Sequence, residues 1–265
     1  MPDVSLHPDP NSPYPVLDPA QPIDTLRHLC ALTVMAKAPR PGKVKTRLSP
    51  PLTLEQTAAL NVRFLKDTTA NLATIPGAAG LISYTPVGDE ALFAGILPET
   101  FALVAQRGDG FGERLLAAAE DILAIGYGSV CLIDSDSPTV PAAAFQMAVE
   151  ALAAPGDRVV LGPSHDGGYY LIGLKQAHRE PFKHITWSTG SVCEETMERC
   201  KEAGLEVVLL PTWYDVDDAA TLTILQEELL NDTMPEFTTQ AGYRAPHTRD
   251  LLLAMQFDPA AVESA

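Results

Sequence analysis

Seven short runs of the chain are apolar almost throughout: CALTVMA (30–36), GLISYT (80–85), FALVAQ (101–106), SVCLID (129–134), RVVLGP (158–163), YYLIGL (169–174) and LEVVLLP (205–211). A strand with one face in water would alternate apolar and polar residues. A run without alternation is buried on both faces. Helical patterns at 54–72, 89–97, 113–125, 141–153, 190–203 and 219–230 fall between most of these runs. Strand alternating with helix predicts an α/β, Rossmann-like fold: a mostly parallel mixed sheet covered by helices on both faces. Ligands of such sheets bind beyond the carboxyl ends of the strands, so the residues following each run are where chemistry is to be sought.

Composition narrows the class. With 46% hydrophobic residues in 265, the chain can bury one sizeable core, which excludes a mainly disordered protein. Eighteen Lys and Arg against 34 Asp and Glu leave a net charge of −16, which repels nucleic acid and anionic membranes. No apolar run reaches the ~18 residues of a membrane span, and no basic start precedes an apolar block in the first thirty residues. Four cysteines without C-x-x-C spacing read as reduced thiols, so a cytoplasmic protein is expected. Residues 1–28 hold seven prolines and no hydrophobic period and are expected to be a flexible extension. The folded unit is then 29–231, and 232–265 is a C-terminal extension with a short helix over 248–255. The sequence sets no oligomeric state.

The first run is followed by Lys37-Ala-Pro-Arg40-Pro-Gly42-Lys43-Val-Lys45-Thr-Arg47, five basic residues in eleven positions with no acid among them. A loop stiffened by proline and glycine, with inward N–H groups and cations, suits phosphate. It is not a Walker loop: Val44 follows Lys43, and no glycine stands five residues before Gly42.

The central run ends in Asp134-Ser135-Asp136. Oxygen ligands at a strand end suit Mg²⁺ or Mn²⁺, with Asp136 the first ligand and Asp134 either a partner or the cap of a turn. An aspartyl-phosphate phosphatase with Asp134 as nucleophile is the weaker reading, because the strand is central and Pro138 follows. Two more loops join the set, Ser164-His165-Asp166-Gly167-Gly168-Tyr169 and Trp213-Tyr214-Asp215-Val216-Asp217-Asp218. Paired glycines permit close backbone approach, and an acidic turn can complete a cation site. Asp217 as a helix cap is the bland alternative. Gly108-Asp109-Gly110-Phe111-Gly112 opens a helix and either offers amides to a nucleotide or is a plain glycine-rich turn.

Taken together, MAKAPRPGKVKTRLSPPLT (35–53), GDGFGERL (108–115), DSDSPTVP (134–141), LGPSHDGGYYLIGL (161–174), WST (187–189) and PTWYDVDD (211–218) resemble the radical-SAM/selenodomain-associated transferase type 1 family. That family also carries the label of arsenosugar-biosynthesis glycosyltransferases. The resemblance implies a fold of the nucleotide-diphospho-sugar transferase superfamily, glycosyltransferase A type. It implies catalytic Asp136 and Asp166, and metal ligation by Asp136 and Asp217. Nucleotide binding is expected at Lys37, Arg40, Gly42, Lys43, Lys45, Arg47, Gly108 and Asp134, and an acceptor-side loop at Gly167, Gly168 and Tyr169. The expected reaction is metal-dependent glycosyl transfer from a nucleoside-diphosphate sugar to a small-molecule acceptor. Nucleotidyl transfer from a nucleoside triphosphate, guanylyltransferase-like and releasing pyrophosphate, is the alternative. A non-catalytic nucleotide-binding regulator comes third, disfavoured by the acids in separate strand-end loops.

Overall fold

The computed structural model describes residues 11–255. Strands β1 (Cys30–Lys37), β2 (Ala78–Thr85), β3 (Ala102–Ala105), β4 (Ser129–Ile133), β5 (Arg158–Pro163), β6 (Tyr169–Leu174) and β7 (Glu206–Leu209) form one sheet in the order β3-β2-β1-β4-β6-β5-β7. All neighbouring pairs are parallel except those made by β6, which runs antiparallel to β4 and β5. The reversal brings the start of β6 to the same sheet edge as the ends of β1, β4 and β5. The loops after β1, β4 and β7 and the turn between β5 and β6 meet there.

In the inner strands successive residues serve opposite cores, as runs without alternation require, whereas edge strand β7 corrects that expectation, with no buried residue and Leu209 exposed. Leu32 and Val34 of β1 pack into one apolar cluster with helices α1 (Leu54–Leu72), α3 (Ala142–Ala153), α5 (Ala219–Asn231) and α6 (Pro246–Met255). Ala31 faces the other, with α2 (Phe111–Ile125) and α4 (Val192–Glu202). Thr53 opens α1 with a reciprocal capping box to Gln56. Among the described residues, no helix is long and apolar enough to cross a membrane.

Several expectations are corrected. The helix expected over 89–97 is only a 3-10 turn, Glu90–Phe93. Buried Glu90 takes hydrogen bonds from Tyr84 Oη and Gly88 N, and Gly95 at φ 68 turns the chain before a second helical turn forms. Helix α2 begins at Phe111, two residues early, because Glu113 reaches back to the N–H groups of Asp109 and Gly110. Pro141 is the cap of α3 and lies outside its first turn.

The larger correction concerns the leader. From residue 14 it is docked: Tyr14 is buried, its hydroxyl donates to Leu97 O at 2.8 Å, and it accepts from Leu97 N at 3.1 Å. Leu103 N donates to Pro15 O and Leu17 N to Leu103 O, both at 2.8 Å, so the leader lies along edge strand β3. Ile23 N reaches Ile125 O at 2.7 Å. Prolines cannot donate to a strand but can run beside its edge. Val16, Leu17 and Leu26 pack against the cores beside Tyr14, but at spacings that fit neither a helix nor a strand face, so the segment carries no hydrophobic period. Residues 1–10 lie outside the described set.

The C-terminal extension is also part of this unit. Helix α6 is anchored by Asp67 of α1, which is fully buried and accepts from Thr248 N at 2.7 Å, Thr248 Oγ1 at 2.6 Å and His247 N at 3.0 Å. Burial raises the Asp67 pKa, and the three bonds pull it back. Asp67→Ala is expected to cost about 2 kcal/mol, since it orphans two buried donors of Thr248. Urea unfolding checks it, and an unchanged midpoint would show that water replaces the carboxylate.

Candidate active site

After β1 the chain turns through Gly42 at φ +72, buries Val44 and Leu48, and carries Lys45 in the left-handed region at φ 50. Those anchors turn the Lys45 side chain inward, where it is 4% exposed. Its ammonium donates to Val216 O at 2.6 Å and pairs with Asp136 Oδ1 at 2.8 Å and Asp217 Oδ1 at 3.4 Å. It also stands 5.4 Å over the Phe64 ring. Arg47 pairs with Asp217. Asp136 and Asp217 are thus brought together as the sequence led one to expect, but the cation joining them is Lys45.

Four of the five basic residues, Lys37, Lys43, Lys45 and Arg47, border one groove of about 300 Å³ beside Asp136 and Asp217, and Arg40 does not. Lys45 and Arg47 face the acids. Arg40 turns away and grips Asp89, with Nε 2.7 Å from Oδ2, which holds the Asp89 carboxyl below its usual range. Lys37 and Lys43 are exposed and, with Arg40 and Arg114, line a second cavity of about 530 Å³ beyond the ends of β1 and β2.

Asp134 takes the capping role. Its carboxylate accepts from Asp136 N and Ser137 N, both at 3.1 Å, and from Ser137 Oγ at 2.8 Å, closing the turn that presents Asp136. Burial, then the charges of Asp136 and Asp215, push its pKa well up. Val216 N donates to Asp136 O at 2.9 Å, which ties this turn to the loop bearing Asp217. The cap of α5 is Asp218, whose side chain accepts from Thr221 N at 2.9 Å, so Asp217 is left for the site.

On the β6 side, Asp166 accepts from Gly168 N at 2.8 Å. Gly167, at φ +92, lies so close to Gly190 that a Cβ there would overlap the Gly190 carbonyl. Tyr169 begins β6 and lines the cavity. Asp215, to which sequence reasoning assigned no role, belongs to the same cavity and accepts from Ser164 Oγ at 2.8 Å. Burial first, and the charge of Asp166 next, raise its pKa to about 6. The acidic turn was the signal for it, but alternation along that turn does not say which acids point inward. Gly108 turns the chain into α2 at φ +102, and the amides of Asp109 and Gly110 are spent on Glu113, so this loop is mainly a helix cap. His165 stacks at 4.8 Å on Phe237 from the C-terminal extension.

The result is a cavity of about 610 Å³ with Lys37 and Arg47 toward β1, five aspartates (134, 136, 166, 215, 217) along its floor, and Phe111 and Trp187 on one wall. Among the described residues, no group of three or more His, Cys, Asp or Glu side chains is arranged to enclose a metal ion. Asp136 and Asp217 are, however, 32% and 28% exposed and offer only oxygen. Such a pair fits a hard cation that arrives with its polyphosphate, because Mg²⁺ takes one or two carboxylates and completes its shell from phosphate and water.

A crystal structure from Desulfovibrio desulfuricans G20, provisionally named a nucleotide-diphospho-sugar transferase, superposes with a TM-score of 0.70 at 31% identity, covering 86% of this chain and 99% of that one. The chain belongs to the nucleotide-diphospho-sugar transferase superfamily. Two more distant structures share the fold. One is CMP:2-keto-3-deoxy-manno-octonic acid synthetase complexed with CTP (TM-score 0.50, 10% identity, 77% of this chain and all of that one). The other is a homologue of a Mycobacterium tuberculosis protein, from Mycobacterium sp. strain JC1 (TM-score 0.50, 17% identity, 78% and 100%). Residues 68–189 match the family described as "Uncharacterized protein conserved in bacteria (DUF2064)". No hand-curated protein matches. The matched stretch of this transferase contains Asp134, Asp136 and the Asp166 loop, whereas the basic loop and Asp217 lie on either side of it.

Proposed function

We propose that the chain is a metal-dependent glycosyltransferase that uses a nucleoside-diphosphate sugar and a small-molecule acceptor. One observation carries the reading: Lys45 fastens the basic loop of β1 to both Asp136 and Asp217, so that phosphate-binding and metal-binding groups border one cavity. Five carboxylates border that cavity against Lys37, Lys45 and Arg47, an excess that repels a diphosphate unless positive charge comes with it. Asp136 and Asp217 would hold Mg²⁺ or Mn²⁺, whose charge stabilises the departing diphosphate. Lys37 and Arg47 bind phosphate oxygens. Asp166, on the acceptor side with Gly167 and Gly168, takes the proton from the acceptor hydroxyl as the new glycosidic bond forms and the bond to the diphosphate breaks. No protein nucleophile is required.

A second reading has its own support. Lys37, Lys43 and Arg114 around the second cavity, beyond the Arg40–Asp89 pair, add positive charge that a third phosphate could use, which favours nucleotidyl transfer from a triphosphate. Incubation with panels of nucleotide sugars and nucleoside triphosphates in Mg²⁺ or Mn²⁺ separates the two: release of nucleoside diphosphate supports the first, and release of pyrophosphate the second. Turnover of neither sinks both.

Replacing Lys43 and Arg47 with alanine is expected to weaken triphosphate binding more than diphosphate, and diphosphate more than monophosphate. Each hydrogen bond removed from a phosphate oxygen should cost ~1.5–3 kcal/mol, the range for bonds to charged groups. Calorimetric titration at fixed ionic strength decides it, and equal losses for all three lengths would place the polyphosphate elsewhere.

A further inference from the structure

The Lys45 side chain is 4% exposed, and the three protons of its ammonium all have partners: Val216 O at 2.6 Å, Asp136 Oδ1 at 2.8 Å and Asp217 Oδ1 at 3.4 Å. Ser135 Oγ donates to the same Asp136 oxygen at 2.9 Å, and Arg47 meets the second oxygen of Asp217. Two carboxylates therefore stand against two cations. A charge removed from water stays where it is paired, so Lys45 cannot leave these oxygens unless another acceptor is within its reach.

Asn61 of α1 is that acceptor. The residue is 4% exposed, and its Oδ1 is buried without a hydrogen-bond partner. It lines the groove of about 300 Å³ that Lys45, Asp136 and Asp217 also border. Phe64 stands one turn further along the same helix face, and the Lys45 ammonium lies 5.4 Å over its ring, so Asn61 and Lys45 meet on one side of α1. An orphaned carbonyl oxygen costs stability in a protein interior. Set beside an ammonium whose protons are all in use, it marks a second position for that ammonium.

A divalent ion on Asp136 and Asp217 needs the oxygens that Lys45 holds, and two cations repel at such range. We propose that Lys45 is a built-in competitor for that ion: it neutralises Asp136 and Asp217, and when an ion takes them its ammonium turns to Asn61 Oδ1. Asn61 is then a positioning residue that never touches the ion. The inference rests on the reading of Asp136 and Asp217 as the metal pair and adds to it what controls the ion's entry.

The probe is Mn²⁺ alone, without nucleotide, followed by loss of the free-ion signal in electron paramagnetic resonance at fixed pH and ionic strength. The ions counted are those that Asp136→Asn releases, which sets aside ions scattered over a surface of net charge −16. Lys45→Met keeps an apolar stem without the charge and should bind Mn²⁺ roughly tenfold more tightly than the parent, because a unit charge beside the ligands is gone. A lysine that merely builds the site would give the opposite sign. Asn61→Leu should bind Mn²⁺ about tenfold more weakly, because the displaced ammonium is left without an acceptor. In the Lys45→Met background Asn61→Leu should change nothing, since the two residues act through each other. Equal or weaker binding in folded Lys45→Met, or an Asn61 effect of the same size with and without Lys45, overturns the inference and leaves the metal pair in place. If the melting curve shows Lys45→Met to be unfolded, Asn61→Leu carries the test by itself, and an unchanged Mn²⁺ affinity overturns the inference. Failure of the underlying reading looks different: Asp136→Asn then releases no Mn²⁺ from any variant, and both fall together.

Discussion

Asp136→Asn should lower turnover on the order of a thousandfold, the scale of removing one charged group that faces developing negative charge. The substitution keeps the shape of the side chain and leaves the backbone carbonyl that accepts from Val216 N. It removes the charge that Lys45 meets at 2.8 Å and one of two expected metal ligands. Stability should fall only in part, because the buried Lys45 ammonium loses one charged partner but keeps Val216 O and Asp217. The two measurements are therefore turnover, by release of diphosphate or pyrophosphate, and the melting temperature. Near-parent turnover would remove Asp136 from the chemistry. A collapse of both together would mean that Asp136 chiefly holds the loops after β1, β4 and β7 in register.

Deleting residues 1–28 should lower the melting temperature by about 10 °C, at the usual few degrees per kcal/mol for a domain of this size. The deletion removes the Tyr14 ring from the core and its two hydrogen bonds to Leu97. It also strips the backbone bonds that pair Pro15 and Leu17 with Leu103. Edge strand β3 would then present unpaired N–H and C=O groups, a template for association between chains. Concentration-dependent aggregation in light scattering is expected with the lowered midpoint. A melting curve that overlays the parent's would show that the leader's interactions are offset by the entropy of ordering it.

Much of the fold is local in origin and can be read from the chain. Strands such as SVCLI and YYLIG show no alternation of apolar and polar residues because both faces are covered, and that pattern needs no knowledge of their neighbours. The rule that ligands gather at strand ends then points to Asp136, Asp166 and Asp217, and all three line one cavity. The leader escapes such a reading for the opposite reason. Its hold depends on buried Tyr14, on Val16, Leu17 and Leu26 at irregular spacing, and on backbone groups, and none of these leaves a periodic trace.

What tertiary structure alone decided is the direction of side chains in loops. Asp134, Asp136, Asp215 and Asp217 are equivalent as letters, yet one closes a turn, two face Lys45, and one takes a hydroxyl from Ser164. Lys45 and Arg40 sit five positions apart in the same basic loop and serve opposite sides of it. A strand or helix dictates where each side chain points by its period, so its sequence is sufficient. A loop has no period, and its side chains take their directions from whichever neighbouring residues the rest of the fold happens to bury.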